Sequence, residues 1–292
     1  MVKPKIIAEI GCNHKGDIEI AKAMISTAKD YCNVNVVKFQ KRDIKSLLSN
    51  KEYNSPHPVP YNSYGKTYGE HREFLEFSID QHKELKNHCN KIGIEYSSSV
   101  WDVKSALDII SIKPSFIKVP SACNLNKKLL TVLCKDFNGK IHLSLGMTTR
   151  AEEKKIINLF KEYDRLKDLV IYSCTSGYPV PFKDVCLKEI SRLKKSYGNI
   201  LEAIGFSGHH LGIAVDLGAF MLGAEWIERH FTMDRAWKGT DHAASLEPDG
   251  LRKLVRDVAS LADSYKEKPK EILEIEINQR SKLKENQILW EE

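Results

Sequence analysis

Two histidines carry the first sign of chemistry in this chain. His209 follows the run A-I-G-F-S-G (203–208) and His230 closes E-W-I-E-R-H (225–230). Each ends a short apolar stretch of strand character, and the residues near 211–222 between them repeat apolar positions at helical spacing. In a parallel sheet such a strand, helix, strand unit delivers both strand ends to one edge, so the two imidazoles converge. Two neutral imidazoles facing one cavity suit a divalent metal. Asp241 and His242 follow within reach of that edge and could hold a metal-bound water or a substrate hydroxyl. Either histidine alone could equally be a satisfied polar residue at a strand end; the pair is what favours a site.

Two lysines are the second sign. Lys38 and Lys118 sit inside otherwise apolar runs, V-V-K-F and F-I-K-V, and a charge in such a core is costly unless an anion compensates it. A bound phosphate or carboxylate would do so, as would an ion pair with Glu9 or Glu228. Lysine is also the usual Schiff-base former of aldolases. Hydroxyls expected at neighbouring strand ends, Ser99, Ser121, Ser144, Ser176 and Ser207 among them, favour a phosphorylated ligand.

The elements that must hold these groups alternate eight times. Strand patterns fall at 5–10, 34–39, 95–98, 116–119, 141–144, 169–172, 203–206 and 226–228, and helical patterns at 17–31, 80–92, 102–111, 126–136, 149–163, 182–197, 211–222 and 247–265. Asp, Thr or Asn opens several of the helices, as N-caps do. Eight repeats without a glycine-rich phosphate loop predict a closed α/β barrel of the TIM (β/α)8 type, one catalytic domain over 1–265, rather than an open doubly wound sheet. Residues 41–79 are too long for an ordinary connection and leave the C-terminal end of the second strand, where they can cover the barrel mouth. Residues 266–292 are charged and too few for a second core, which predicts a tail or linker.

Composition narrows the class. A 42% hydrophobic content over 292 residues supports a sizeable core. No apolar run approaches the roughly 18 residues of a membrane span, and the first residues lead straight into a strand, so a cytoplasmic protein with no membrane partner is expected. Seven cysteines without a C-x-x-C pattern read as reduced thiols. The formal charge of +6 is spread over amphipathic helices, which predicts a solvated face and no nucleic-acid partner.

Six segments taken together carry a family resemblance. A-E-I-G-C-N-H-K-G-D (8–17), V-V-K-F-Q-K (36–41), C-T-S-G-Y-P (174–179), G-F-S-G-H (205–209), E-R-H-F-T (228–232) and W-K-G-T-D-H-A-A-S-L-E-P (237–248) resemble the sialic acid synthases, in order and over nearly the whole chain. That family condenses phosphoenolpyruvate with an open-chain sugar aldehyde in a metal-dependent reaction. G-K-T-Y-G-E-H (65–71) and W-K-G-T-D-H (237–242) look more like the members that take a 6-phosphorylated sugar. The resemblance implies that His209 and His230 hold a divalent ion, commonly Mn2+ or Mg2+. It implies that Lys38, Ser99, Lys118, Ser121, Ser176, Tyr178 and Ser207 surround phosphoenolpyruvate, and that Glu9, Gln40 and Asp241 sit by the sugar. Glu9 or Asp241 is then the candidate for proton transfer.

Two departures bear on the acceptor. Family members usually append an antifreeze-like domain that supplies an arginine to the sugar's N-acyl group, and the sequence stops in the linker. Cys123 stands where the family usually has an acidic residue that touches the sugar, and a thiol cannot replace its hydrogen bonds. Mannose 6-phosphate therefore joins N-acetylmannosamine 6-phosphate and the free sugars as a candidate. For a distal phosphate the long loops offer Lys66, Arg72 and Lys238, with Gly65, Gly69 and Gly239 permitting close backbone approach. The family forms dimers, so a homodimer resting on barrel helices or on 41–79 is expected. A Schiff-base aldolase on Lys118 or Lys38, or a sugar-phosphate sensor without catalysis, would share the fold.

Overall fold

The structure, a computed structural model, describes residues 3–284. Eight strands, β1 (Lys5–Gly11), β2 (Val36–Lys41), β3 (Glu95–Val100), β4 (Phe116–Val119), β5 (Lys140–Ser144), β6 (Leu169–Cys174), β7 (Ala203–Gly208) and β8 (Trp226–His230), close into one barrel in sequence order. Every neighbouring pair is parallel, including β1 with β8. The chain is a TIM barrel. β-Branched and aromatic residues form the strands, and their period of two sends alternate side chains inward and outward.

The outward residues, such as Ile6, Ala8 and Ile10 on β1, pack with the helices in the main core. The inward residues are layered. At the N-terminal end Ile7, Val36, Phe116, Val170, Tyr172, Ala203 and Trp226 form a separate apolar plug. His142 belongs to this plug, stacked on Phe116 at 3.9 Å with Nδ1 2.8 Å from the Tyr172 hydroxyl. One inward step above Ile7, Val36, Phe116 and Trp226 stand Glu9, Lys38, Lys118 and Glu228, with Ser99 of β3 and Ser207 of β7 also in the cavity lining. The plug therefore closes the barrel beneath them and gives the charged layer a dry floor.

All eight expected helices form, shortened mainly where the capping residue stands outside. Asp17 caps Ile18–Ser26 by accepting from the Glu19 and Ile20 N–H groups, and Asp102, Asn126 and Thr149 cap theirs in the same way. The pattern at 211–222 begins only at Ala214, because Gly212 turns the chain with φ +73° first. Residues 41–79 are not irregular: they carry the short helices Ile44–Leu47, Asn50–Tyr53 and Tyr68–Phe74. This excursion is tied to the loop after β8, where the Tyr64 hydroxyl donates to the Lys238 carbonyl at 2.6 Å.

Residues 266–284 include a helix, Glu274–Lys284, with no buried residue. The rest of the expected tail, 285–292, lies outside the described residues. Among the described residues no helix is long and apolar enough to cross a membrane.

Candidate active site

A cavity of about 400 Å³ opens over the C-terminal ends of the strands. Four opposed charges make its floor. Lys38 Nζ donates to Ser99 Oγ at 2.6 Å, pairs with Glu9 and lies 3.6 Å from Glu228 Oε2. Lys118 Nζ donates to Glu228 Oε1 at 2.9 Å and sits 3.7 Å over the Tyr172 ring. Ser207 Oγ also donates to Glu228, and Gln40 Nε2 donates to Glu9 Oε1 at 2.7 Å. The two strand lysines thus find their counter-charges within the protein, the ion-pair alternative, rather than depending on a ligand. Burial works to raise the Glu228 carboxyl, but Lys118 and Lys38 outweigh it and hold the group well below the usual carboxylate range.

His209 and His230 do converge, with ring centroids 5.5 Å apart. His209 Nδ1 lies 3.0 Å from the Thr175 carbonyl, a contact in which only a protonated Nδ1 can donate, so Nε2 keeps a free lone pair. Burial, reinforced by His230, lowers the His209 pKa to about 3, which keeps the ring neutral. His230 Nδ1 is buried with no hydrogen-bond partner and lies 3.9 Å from Asp241 Oδ2. Burial acts to raise the Asp241 carboxyl; His230, Arg42 and Arg72 overcome it and hold it low. Asp241 shares the cavity lining with the histidine pair, Arg42 and Arg72. The neutral His209 ring and the buried, unpartnered Nδ1 of His230 fit a divalent ion. Among the described residues no group of three or more His, Cys, Asp or Glu is arranged as a metal cage. The donor set suits an open site completed by water or substrate oxygens.

Ser121, Ser176 and Tyr178 line the wall. Gly146 has to be glycine here, because a Cβ would come within 2.4 Å of Ser176 Oγ and 2.6 Å of Ser121 Oγ. Its N–H donates to Ser121 Oγ at 3.1 Å, so two hydroxyls and a backbone amide gather at one point. The Tyr178 ring lies 4.3 Å from that of His209, and burial raises its hydroxyl well above the ordinary range, keeping it a proton donor. Arg72 reaches the rim from the 41–79 excursion, its Nε and Nη2 both donating to the Tyr68 hydroxyl.

Lys66 and Lys238 do not reach the cavity. Lys66 is exposed, and Lys238 Nζ lies 4.8 Å over the Tyr64 ring. The flanking glycines serve packing instead of an anion: the Tyr53 ring fills the space at Gly69, Glu70 and the His71 backbone that at Gly65, and His242 that at Gly239. Cys123 is also outside the lining, its thiol donating to the Trp101 carbonyl at 3.2 Å, and Ala122 faces the cavity in its place.

Arg42 joins the site without having been singled out for it, and Glu228, named only as a counter-ion for the lysines, lines the cavity itself. Both follow the strand period, Glu228 two residues before His230 and Arg42 two after Gln40, and that was the available signal. Arg42 is buried, donates through Nη1 to Glu76 Oε1 at 3.1 Å and stacks 4.2 Å over Trp101.

A closed (β/α)8 barrel with a charged cavity at the strand C-termini is the scaffold of a small-molecule enzyme. Residues 24–270 match the NeuB family. The chain is 38% identical over 278 residues to the N-acetylneuraminate-9-phosphate synthase of Mus musculus, covering 95% of this chain and 76% of that one. It is 35% identical over 262 residues to the N,N'-diacetyllegionaminic acid synthase of Campylobacter jejuni, covering 89% and 77%. Among solved structures it is similar to the N-acetylneuraminic acid synthetase of Leptospira borgpetersenii in complex with citrate, with a TM-score of 0.79, 28% identity and coverage of 97% and 93%. The chain belongs to the NeuB family.

Proposed function

We propose that this chain condenses phosphoenolpyruvate with the aldehyde of an open-chain hexose to give a nonulosonic acid, releasing phosphate. The acceptor we favour is a 6-phosphate, N-acetylmannosamine 6-phosphate or mannose 6-phosphate, and the product its 9-phosphate. The observation that carries this reading is the placement of Lys38, Lys118 and the serine hydroxyls beside the His209–His230 pair on one barrel edge of a NeuB chain. The names of the relatives in Mus musculus and Campylobacter jejuni support it.

In this reading Lys38 and Lys118 bind the anionic groups of phosphoenolpyruvate, with Glu228 and Glu9 fixing the ammonium groups in place. Ser121, Ser176 and the Gly146 amide cradle the phosphate, and Ser99 and Ser207 orient the lysines and Glu228. His209 and His230 would hold a divalent ion, Mn2+ or Mg2+, which when bound would supply Lewis-acid polarisation of the aldehyde oxygen. The enol carbon attacks the aldehyde carbon, water adds at the former enol-phosphate carbon, and the C–O bond to phosphate breaks. Asp241 Oδ2, ionised beside His230, takes a proton from that water. Glu9 and Gln40 face the acceptor hydroxyls, and the Tyr178 hydroxyl donates to the developing oxyanion. Arg72, with Arg42, meets the distal phosphate. A cytoplasmic homodimer belongs to the same reading, and a monomer by light scattering at high concentration would remove that part of it.

The test is phosphate release from phosphoenolpyruvate with free and 6-phosphorylated mannose and N-acetylmannosamine, after chelator dialysis and with Mn2+ or Mg2+ restored. Release that requires a hexose and a divalent ion supports the proposal. Release with no sugar, or none with any, overturns it.

A further inference from the structure

A buried cluster lies directly behind the two histidines. On β8 Glu228 and His230 enter the cavity, and Arg229 between them points the other way, toward the helix Ala214–Met221. Its guanidinium, 1% exposed, donates through Nη1 to Asp216 Oδ2 at 2.5 Å and to the Gly212 carbonyl at 2.8 Å. Through Nη2 it donates to the His210 carbonyl at 2.5 Å. The His210 ring closes the cluster, with Nε2 3.0 Å from Arg229 Nη1 and 3.3 Å from Asp216 Oδ2. That ring lies against Gly208, where a Cβ would come within 2.8 Å of His210 Cε1, and Gly208 is the register partner of Arg229.

We infer that Arg229, with Asp216 and His210, positions His209 and His230 for a divalent cation; this rests on the metal reading above. One planar guanidinium, on the residue next to His230, grips the carbonyl of the residue next to His209. The spacing of the two imidazoles is then set by a rigid fork and not by the loop 209–213. His209 is held from its other sides as well, its Nδ1 on the Thr175 carbonyl and its own carbonyl accepting from the Val180 N–H at 3.0 Å. Lysine could not replace the arginine, since a single ammonium cannot span two carbonyls and a carboxylate in one plane.

Stability alone is a poor account of this cluster. Arg229 Nε, Asp216 Oδ1 and His210 Nδ1 are all buried with no hydrogen-bond partner. A buried polar network left partly unsatisfied is no better for stability than well-packed apolar residues. What it adds is a fixed geometry at the two strand ends that carry the imidazoles.

The experiment measures Mn2+ affinity on metal-free protein from the electron paramagnetic resonance signal of free Mn2+. It compares wild type with Arg229→Lys and with the charge-neutral double variant Arg229→Met/Asp216→Leu, which leaves no lone buried charge should the lysine variant fail to fold. Circular dichroism and thermal melting certify the fold. We expect Mn2+ binding weakened about tenfold or more, the usual size of an outer-sphere effect. The KM for phosphoenolpyruvate at saturating Mn2+ should stay close to the wild-type value. Folded variants that bind Mn2+ as wild type does overturn the inference alone. A wild type that binds no Mn2+ overturns the metal reading and the inference with it.

Discussion

Lys118 Nζ donates to Glu228 Oε1 across 2.9 Å at the barrel floor, and the same carboxylate faces Lys38 through its other oxygen. One carboxylate thus serves two buried ammonium groups. Glu228→Gln leaves that charge uncompensated, and breaking a buried pair on one side costs about 3–5 kcal/mol. Tm should fall by several degrees. Because a bound anion replaces the lost charge, phosphoenolpyruvate should raise the variant's Tm more than it raises that of wild type. Differential scanning fluorimetry with and without the ligand measures both, and an equal shift in the two proteins counts against a lysine-bound anion.

His209→Ala and His230→Ala should each lower kcat at least about a hundredfold, the kinetic equivalent of losing several kcal/mol of charge stabilisation. Thermal melting of the metal-free proteins should change little, since the rings line a cavity. Dialysis against EDTA should abolish wild-type activity, with Mn2+ or Mg2+ restoring it. Activity that survives EDTA would sink the metal reading.

The barrel was legible because its signals are local. Strand alternation alone places Lys38 and Lys118 among inward positions, and the caps at Asp102, Asn126 and Thr149 mark where helices start. Arg42 was missed because of a boundary: β2 runs to Lys41 and not to Phe39, and the extra length carries the inward face past Gln40 to Arg42. Lys66 and Lys238 stand outside the cavity lining for another reason. Their direction depends on how the excursion folds back onto the loop after β8, through Tyr64 and its contacts with Lys238, and no local spacing encodes a contact between segments so far apart.

Arg72 is half-buried at the rim, and among the described residues no carboxylate lies within ion-pair distance of it. A distal phosphate on the acceptor would supply that counter-charge, and a charge-assisted hydrogen bond is worth about 1.5–3 kcal/mol. Arg72→Ala should therefore raise the KM for a 6-phosphorylated hexose about tenfold or more and leave that for phosphoenolpyruvate unchanged. Lys238→Ala should change neither, because its ammonium lies over Tyr64. Steady-state kinetics on both substrates decide it, and a larger effect from Lys238 than from Arg72 would return the phosphate to the loop after β8.

Stability should fall in mild acid, well before the carboxylates titrate. Burial lowers His14, His82 and His209 each to about 3, and drives His142 well below the ordinary value of 6.5. These rings are neutral in the folded state at pH 6, whereas the unfolded chain binds protons on them below 6.5. Unfolding then takes up protons, so stability rises with pH through this window and is lost as pH falls from 6.5 toward 3. Each ring contributes a slope of about 1.4 kcal/mol per pH unit once the unfolded chain is fully protonated. Glu228 and Asp241, held low by their partners, begin to add to the loss only as pH falls through the ordinary carboxylate range, where the unfolded chain takes up protons first. Urea midpoints measured in EDTA, which removes any protonation linked to metal release, should be level from pH 8 to 7 and drop steeply between 6.5 and 5. A midpoint that stays level down to pH 5 would mean that these histidines take up protons in the folded chain.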